Sequence, residues 1–419
     1  MAFGSVYLLS NSLFPDLIGE APDKDTGIIV VIPAYNEPDI IATLNSLACC
    51  AKPACKVEVL IIVNAPTDST SEGVKNNSLS IEKLEGWKKQ NSNCFFRLYY
   101  SNVGQPDICH WGVGLARKTG MDEAVRRFDF INNPNGVVAS LDADCTVEKS
   151  YFICLADELL KKGERKACSI YFEHPLNGNL PSTLYKAVTL YELHLRYYFQ
   201  ALKYTGFPYV HHTIGSAIAI KASTYVKAGG MNRKQAGEDF YFIQKLVPTG
   251  GFFNLYGTVI YPSPRISLRV PFFSTGIVIG KLSEMENPEY FTYDFKAFIE
   301  LKNLFGLTEK LYNTSHNTWV KEFSGLNECL KLFITEQEWI NKLTELNGNT
   351  SNLDAFGKRF YNWFNMFKIV KYLNFSHINY FEKKEIVQEA KGFLRVINNT
   401  ELTDDPKELL LIYRSLEKN

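Results

Sequence analysis

Two carboxylates one residue apart, Asp142 and Asp144, follow directly on the apolar run 136–141. Such a pair at the end of a buried strand cannot stay doubly ionised in apolar surroundings without compensation. A hard divalent cation supplies it. Mn²⁺ or Mg²⁺ takes one or two protein carboxylates and completes its shell with phosphate oxygens and water. The plainer reading is that the acids cap a helix or a turn beginning near Thr146-Val147-Glu148. A second acidic group, Gly237-Glu238-Asp239-Phe240, stands at an expected helix start, where acids serve as caps. A carboxylate fixed there can also act as a general base toward an acceptor hydroxyl. The helix dipole lowers its basicity, so that role requires burial.

The elements that must position these acids are legible in the apolar pattern. Residues 27–33 (GIIVVIP) form a wholly apolar, β-branched run, the signature of a central strand covered on both faces. A helix over 39–50, with Ile40, Ile41, Leu44 and Leu47 at helical spacing, leads to a second strand at 57–63. A third strand at 95–100 and a helix at 112–128 precede a fourth strand at 136–141, which runs into Asp142. This alternation predicts an α/β fold, an open, mostly parallel sheet flanked by helices. Ligands of such sheets sit at the carboxyl ends of strands, where Tyr35-Asn36-Glu37, Asn64, Asn102 and Asp142 fall. Beyond, the pattern predicts a helix at 182–203, a strand at 215–220, a helix at 238–246 and a long loop over 261–275. After 286 the chain turns to aromatic-rich amphipathic segments, 290–305, 320–347, 354–373, 382–397 and 405–417, separated by linkers such as Asn347-Gly348-Asn349-Thr350. The expected division is an N-terminal extension (1–26), a catalytic domain (27–285) and a C-terminal helical region (286–419).

Composition narrows the function classes. The 419 residues are 46% hydrophobic and 21% charged, values of an ordinary globular protein. Forty-five basic residues balance 45 acidic ones, which leaves no electrostatic footprint for nucleic acid. The nine cysteines are odd in number and show no CxxC spacing, so neither a disulfide framework nor a structural zinc site is expected. The N-terminus has no basic n-region, and no stretch approaches the ~20 apolar residues of a transmembrane helix. The chain is expected in the cytoplasm, with peripheral contact at the inner face of a membrane as the variant of that reading.

Six segments taken in order carry a resemblance: VVIPAYNE (30–37), VNAPTDST (63–70), GLARKTGMDEA (114–124), SLDADCTVEKSYF (140–152), GSAIAIKASTYVKAGGM (215–231) and GEDFYF (237–242). Together they resemble family 2 glycosyltransferases of the GT-A fold over residues 27–265. The resemblance implies that Pro33, Ala34, Tyr35, Asn36 and Glu37 line a nucleoside pocket and that Asn64 stands where an acid usually contacts the base. It further implies that Arg117 lies near the nucleotide and that Ala143 sits in the donor turn. Asp142 would face the ribose or the metal's water shell, and Asp144 would ligate the metal. Gly215 and Ser216 would start the acceptor-side strand, and Asp239 would be the catalytic base with Glu238 orienting the acceptor. Departures are the turn Asn64-Ala65-Pro66 in place of an acidic one, Ala116-Arg117-Lys118 in place of A-R-N, and the lack of a Q-x-x-R-W segment.

The implied activity is hexosyl transfer from a UDP- or GDP-sugar to a saccharide or other hydroxyl acceptor, inverting, with a divalent metal. The alternatives are an inactive sugar-nucleotide-binding protein and a retaining transferase. A nucleotidyltransferase would need a Gly-rich basic loop where Ala34-Tyr35-Asn36-Glu37 stands, and no GxGxxG follows a strand as a dehydrogenase requires. Arg265 or Arg269 can close over a diphosphate from the loop after the catalytic helix. His212 is read as an acceptor-side or structural residue, and Trp111 as core.

Overall fold

The computed structural model describes residues 3–66, 69–106, 108, 111–232, 237–266, 275–398 and 403–418. The chain forms two compact units, Met1–Gly178 with His211–Ile277, and Asn179–Val210 with Val278–Asn419. In chain order the elements up to the end of the sheet are α1 (Ser5–Asn11), β1 (Thr26–Ala34), α2 (Ile40–Ala48), β2 (Lys56–Asn64), α3 (Ser71–Gln90) and β3 (Phe96–Gly104). They continue with α4 (Val113–Phe130), β4 (Val137–Ser140), β5 (Thr146–Val147), α5 (Tyr151–Leu155), β6 (Ala167–Phe172) and α6 (Ser182–Tyr204). The last four are β7 (Ile218–Lys221), α7 (Ala222–Lys227), α8 (Glu238–Leu246) and β8 (Phe252–Tyr261).

The first unit holds one eight-stranded sheet in the order β3-β2-β1-β4-β7-β6-β8-β5. β1, β2, β3 and β4 run parallel, with Val30 opposite Val59 on one side and Ala139 on the other. β6 and β8 are parallel, while β7 and β5 enter antiparallel, so the mostly parallel sheet expected from the alternation is present. All nine residues of β1 are buried, the consequence of a β-branched run with helices on both faces. Strand order places β2 on one flank of β1 and β4 on the other. The order in which strands are added therefore switches sides between β1 and β4, and in such sheets ligands sit outside the carboxyl ends of the strands at that switch.

α4 makes the crossover to β4 and lies close on the sheet. A Cβ at Gly120 would meet Val31 Cγ1 at 2.3 Å, so glycine is what lets the helix approach. The first residues dock on the same helix. Gly4 N–H donates to Asp129 Oδ1 (2.6 Å), and the Tyr7 hydroxyl donates to Asp122 Oδ1 (2.8 Å). Lys118, where the resemblance departs from its pattern, turns inward to Asp122 Oδ2 (2.8 Å) and the Tyr7 oxygen (3.0 Å).

In the second unit, α6 joins the C-terminal helices through buried charges. Arg196 donates to Glu192 (2.8 Å) and Glu417 (2.7 Å), and Arg414 donates to Glu192 (2.8 Å). A division at 285 leaves this helix with the sheet, since apolar periodicity does not say which partner a helix buries against. The expected helix over 320–347 is broken into parts of His316–Ser324, Glu328–Phe333 and Glu336–Gly348. Asn327 and Thr335 cap the second and third by accepting from Cys329 N (2.7 Å) and Glu338 N (3.2 Å). Among the described residues no helix is long and apolar enough to cross a membrane.

Candidate active site

The acidic turn is built where β4 stops. Leu141 N–H donates to Val31 O (3.0 Å) and continues the ladder for one more bond. Cys145 N–H then closes the turn on Asp142 O (3.1 Å), and Thr43 Oγ1 donates to Ala143 O (2.8 Å). Ala143 is buried, while Asp142 and Asp144 on either side keep 36% and 23% of their side chains exposed. Each carboxylate meets a different arginine.

Arg117 comes from the first turns of α4 and is almost wholly buried. Its Nη2 donates to Asp142 Oδ1 (2.8 Å) and its Nη1 to Glu238 Oε1 (2.7 Å). Two absent side chains make room for it. A Cβ at Gly215 would stand 2.7 Å from Arg117 Nη1, and one at Gly114 would stand 2.9 Å from Glu238 Cγ. Burial alone would lower the guanidinium's proton affinity, but Asp142, Glu238 and Asp239 outweigh it and raise it. One fixed positive charge thus links the strand-end turn to the first turn of α8.

Asp239 stands next to that link. Gly237 caps α8 in the left-handed region (φ 68°), which sets Glu238 and Asp239 on the first turn. The Asp239 carboxylate accepts from the backbone N–H of Phe240 (2.7 Å) and from that of Gly215. Burial and, second, the charge of Glu238 push its pKa up from 3.8 to about 6, against the opposing pull of Arg117. The burial needed to offset the helix dipole is therefore in place, and Asp239 is a stronger base than an ordinary carboxylate.

Arg265 occupies the other side of the turn. Its Nη2 donates to Asp144 Oδ2 (3.1 Å) and to Glu37 Oε2, and its Nε lies 3.3 Å from the same Asp144 oxygen. Glu37 is buried, so this guanidinium neutralises an acid that water cannot reach. The sequence placed Glu37 in the nucleoside pocket and Arg265 in a separate loop; their direct pairing was not legible. Arg269 lies outside the described residues, as do Thr67 and Asp68 of the second segment.

The donor set at the turn fits a hard cation. Asp142 and Asp144 offer carboxylate oxygens partly open to solvent, and cations of this kind bind through one or two carboxylates with phosphate and water. Among the described residues no group of three acids, histidines or cysteines stands ready to hold a metal alone.

At the carboxyl ends of β1 and β2, Pro33, Ala34 and Asn64 are buried. The Tyr35 ring lies against Gly73, where a Cβ would come within 2.6 Å of its hydroxyl oxygen. Asn77 of α3 ties the two strand ends together, accepting from Asn36 N–H and donating to Asn64 O, each at 2.8 Å. Neither α3 nor the role of Asn77 was anticipated; Thr70, whose hydroxyl caps the helix at Gly73 N, was the available signal. Ser216 is buried beside Cys145. His212 packs edge-on against Phe172, ring centres 5.1 Å apart, and its carbonyl accepts from Ser169 (2.8 Å), on the β6 side of the sheet. Trp111 is core, packed with Leu115, Ala116 and Ile62.

No family model matches the chain, and no curated protein does. Among solved structures it is similar to S. aureus TarS 1–349, at 14% identity and a TM-score of 0.40, covering 81% of this chain and 92% of that one. It is also similar to the mannosyltransferase PcManGT of Pyrobaculum calidifontis, solved with GDP-Man and Mn²⁺ (14% identity, TM-score 0.36, 90% and 95% covered). A third is the glucosyl-3-phosphoglycerate synthase of Mycobacterium tuberculosis, solved with Mg²⁺ and UDP (14%, 0.34, 57% and 71%). These likenesses are distant.

Proposed function

We propose that this protein is a glycosyltransferase that moves a hexosyl group from a nucleoside diphosphate sugar to an acceptor hydroxyl, with Asp239 as general base. The observation that carries the reading is the Asp142–Arg117–Glu238 chain of ion pairs, which sets a base of raised pKa one guanidinium away from the donor turn. The names of the similar structures, among them complexes with UDP-GlcNAc and GDP-Man, agree with it.

Each residue then has a task. Asp239 takes the proton from the acceptor hydroxyl as its oxygen attacks the anomeric carbon. The bond from that carbon to the diphosphate oxygen breaks, and one displacement inverts the configuration. The backbone donors on Asp239 fix the carboxylate, and Glu238 keeps its basicity high. Arg117 holds Asp142 and Glu238 in register, so the two halves of the site need little reorganisation during reaction. Asp144 and Asp142 would hold a divalent metal, which when bound neutralises charge on the departing diphosphate. Arg265 adds a second positive charge against Asp144 and Glu37 and can pair with phosphate oxygens.

The test is transfer or hydrolysis across a panel of donor sugars. Asp239→Asn should lower turnover by about 10²–10⁴-fold while donor binding, read by calorimetry, is kept. Unchanged turnover would sink the base assignment. A wild-type chain that binds donors and turns over none would favour a binding protein instead.

A further inference from the structure

We infer that Tyr7 of α1 is a positioning residue for the general base Asp239, acting through the turn that leads into α8. This rests on the transferase reading above and gives the segment ahead of β1 a task in it. Lys118 and Asp122, one helical turn apart on α4, form an ion pair almost wholly sealed from water. Such a pair is stable only when its remaining lone pairs and protons are also met. Two tyrosines meet them. Tyr7 and Tyr225 of α7 each donate to Asp122 Oδ1 at 2.8 Å, and the Tyr7 oxygen accepts from Lys118 Nζ at 3.0 Å.

The same cluster holds the turn before α8. A Cβ at Gly230 would stand 1.8 Å from the Tyr7 oxygen, and Gly230 has a φ of 66°, so only glycine lets this backbone sit against the hydroxyl. The Tyr225 hydroxyl also bonds to the backbone of Met231, the next residue. Its ring lies 5.7 Å from that of Tyr7 and 5.7 Å from that of Phe242 on α8. Asn232 then donates from Nδ2 to the Glu238 carbonyl (3.1 Å), in the first turn of α8. Asp239 is the residue that follows. Arg117 fixes Glu238 by its side chain, and the Tyr7 cluster fixes the backbone that carries both acids. Removing the Tyr7 hydroxyl takes a partner from the Lys118 ammonium and opens space over Gly230. The turn then shifts under the base, while the Asp142 turn, carried by β4, stays in place. A misplacement of about 1 Å originating far from the reacting atoms is enough to cost about 10²-fold in rate.

The experiment is a double-mutant cycle on the full chain with Tyr7→Phe and Asn232→Ala, reading kcat, KM, Tm and donor binding by calorimetry. Each single variant should lower kcat roughly tenfold to a hundredfold, with donor affinity within about twofold of wild type. The double variant should fall no further than the worse single, because both substitutions act through one turn. A Tyr7→Phe chain with a lowered Tm and wild-type kcat overturns the inference. So do losses in kcat that multiply in the double variant, or a loss of donor affinity as large as the loss of kcat. Each of these leaves the transferase reading standing. A wild-type chain that turns over no donor takes both down. If Tyr7→Phe does not fold, Tyr225→Phe, which keeps both ring contacts and loses the bonds to Asp122 and Met231, takes its place under the same criteria.

Discussion

Replacing Glu238 by glutamine changes one charge and almost nothing else at the site. The amide oxygen can still accept from Arg117 Nη1, which the carboxylate now does at 2.7 Å, so the Arg117 bridge to Asp142 is retained. What is lost is a negative charge beside Asp239. In the native chain burial comes first and Glu238 second in raising Asp239 from 3.8 to about 6. Removing Glu238 takes away its part of that rise and leaves the larger part that burial supplies. The sign follows. A base whose pKa falls is ionised at lower pH, so the acidic limb of the kcat/KM profile should move down from near 6. At pH 5 about a tenth of Asp239 is ionised in the native chain and more than that in the variant, a partial compensation for whatever the substitution costs in acceptor orientation. Near pH 7 that compensation disappears, because the base is already ionised in both proteins, and the weaker base of the variant is slower. The assay is a steady-state pH series with saturating metal, fitted for the limb and not for the absolute rate. A limb that stays in place, or climbs, would refute the claim that the Glu238 charge tunes Asp239.

Two further outcomes test the remaining parts of the site. Gly215→Ala places a methyl 2.7 Å from the Arg117 guanidinium, so either α4 or the arginine must shift. Overpacking of that kind costs about 1–3 kcal/mol, to be read as a lower Tm together with a fall in kcat; a variant with wild-type values for both would show that the guanidinium is not held as described. Asp144→Ala should weaken nucleotide binding only when Mn²⁺ is present, and a chelator should bring the wild type to the same level. Metal-dependent affinity that survives the substitution would remove Asp144 from the ligand set.

The first half of the sheet was legible in local pattern alone, and so was the place of the acids at a strand end and a helix start. Runs such as GIIVVIP admit few alternatives, because a β-branched stretch buried on both faces is satisfied by a central parallel strand and little else. The acidic turn and the helix start at Glu238 were fixed as local signals, an acid pair at a strand end and a glycine before two acids. Strands β6 and β8 and helix α3 were missed because their residues carry mixed patterns that only their neighbours resolve: β6 is buried along its length, while β8 alternates irregularly. The C-terminal helices were legible as helices but not as separate ones, since Asn327 and Thr335 act as caps only once the chain turns there. What the tertiary structure alone decided is pairing. Arg117 and Glu238 are 121 residues apart, and Arg265 and Asp144 are likewise 121 apart. No periodicity links such positions. A guanidinium goes where burial leaves carboxylates in need of charge, and that need exists only after the strands have brought the acids together.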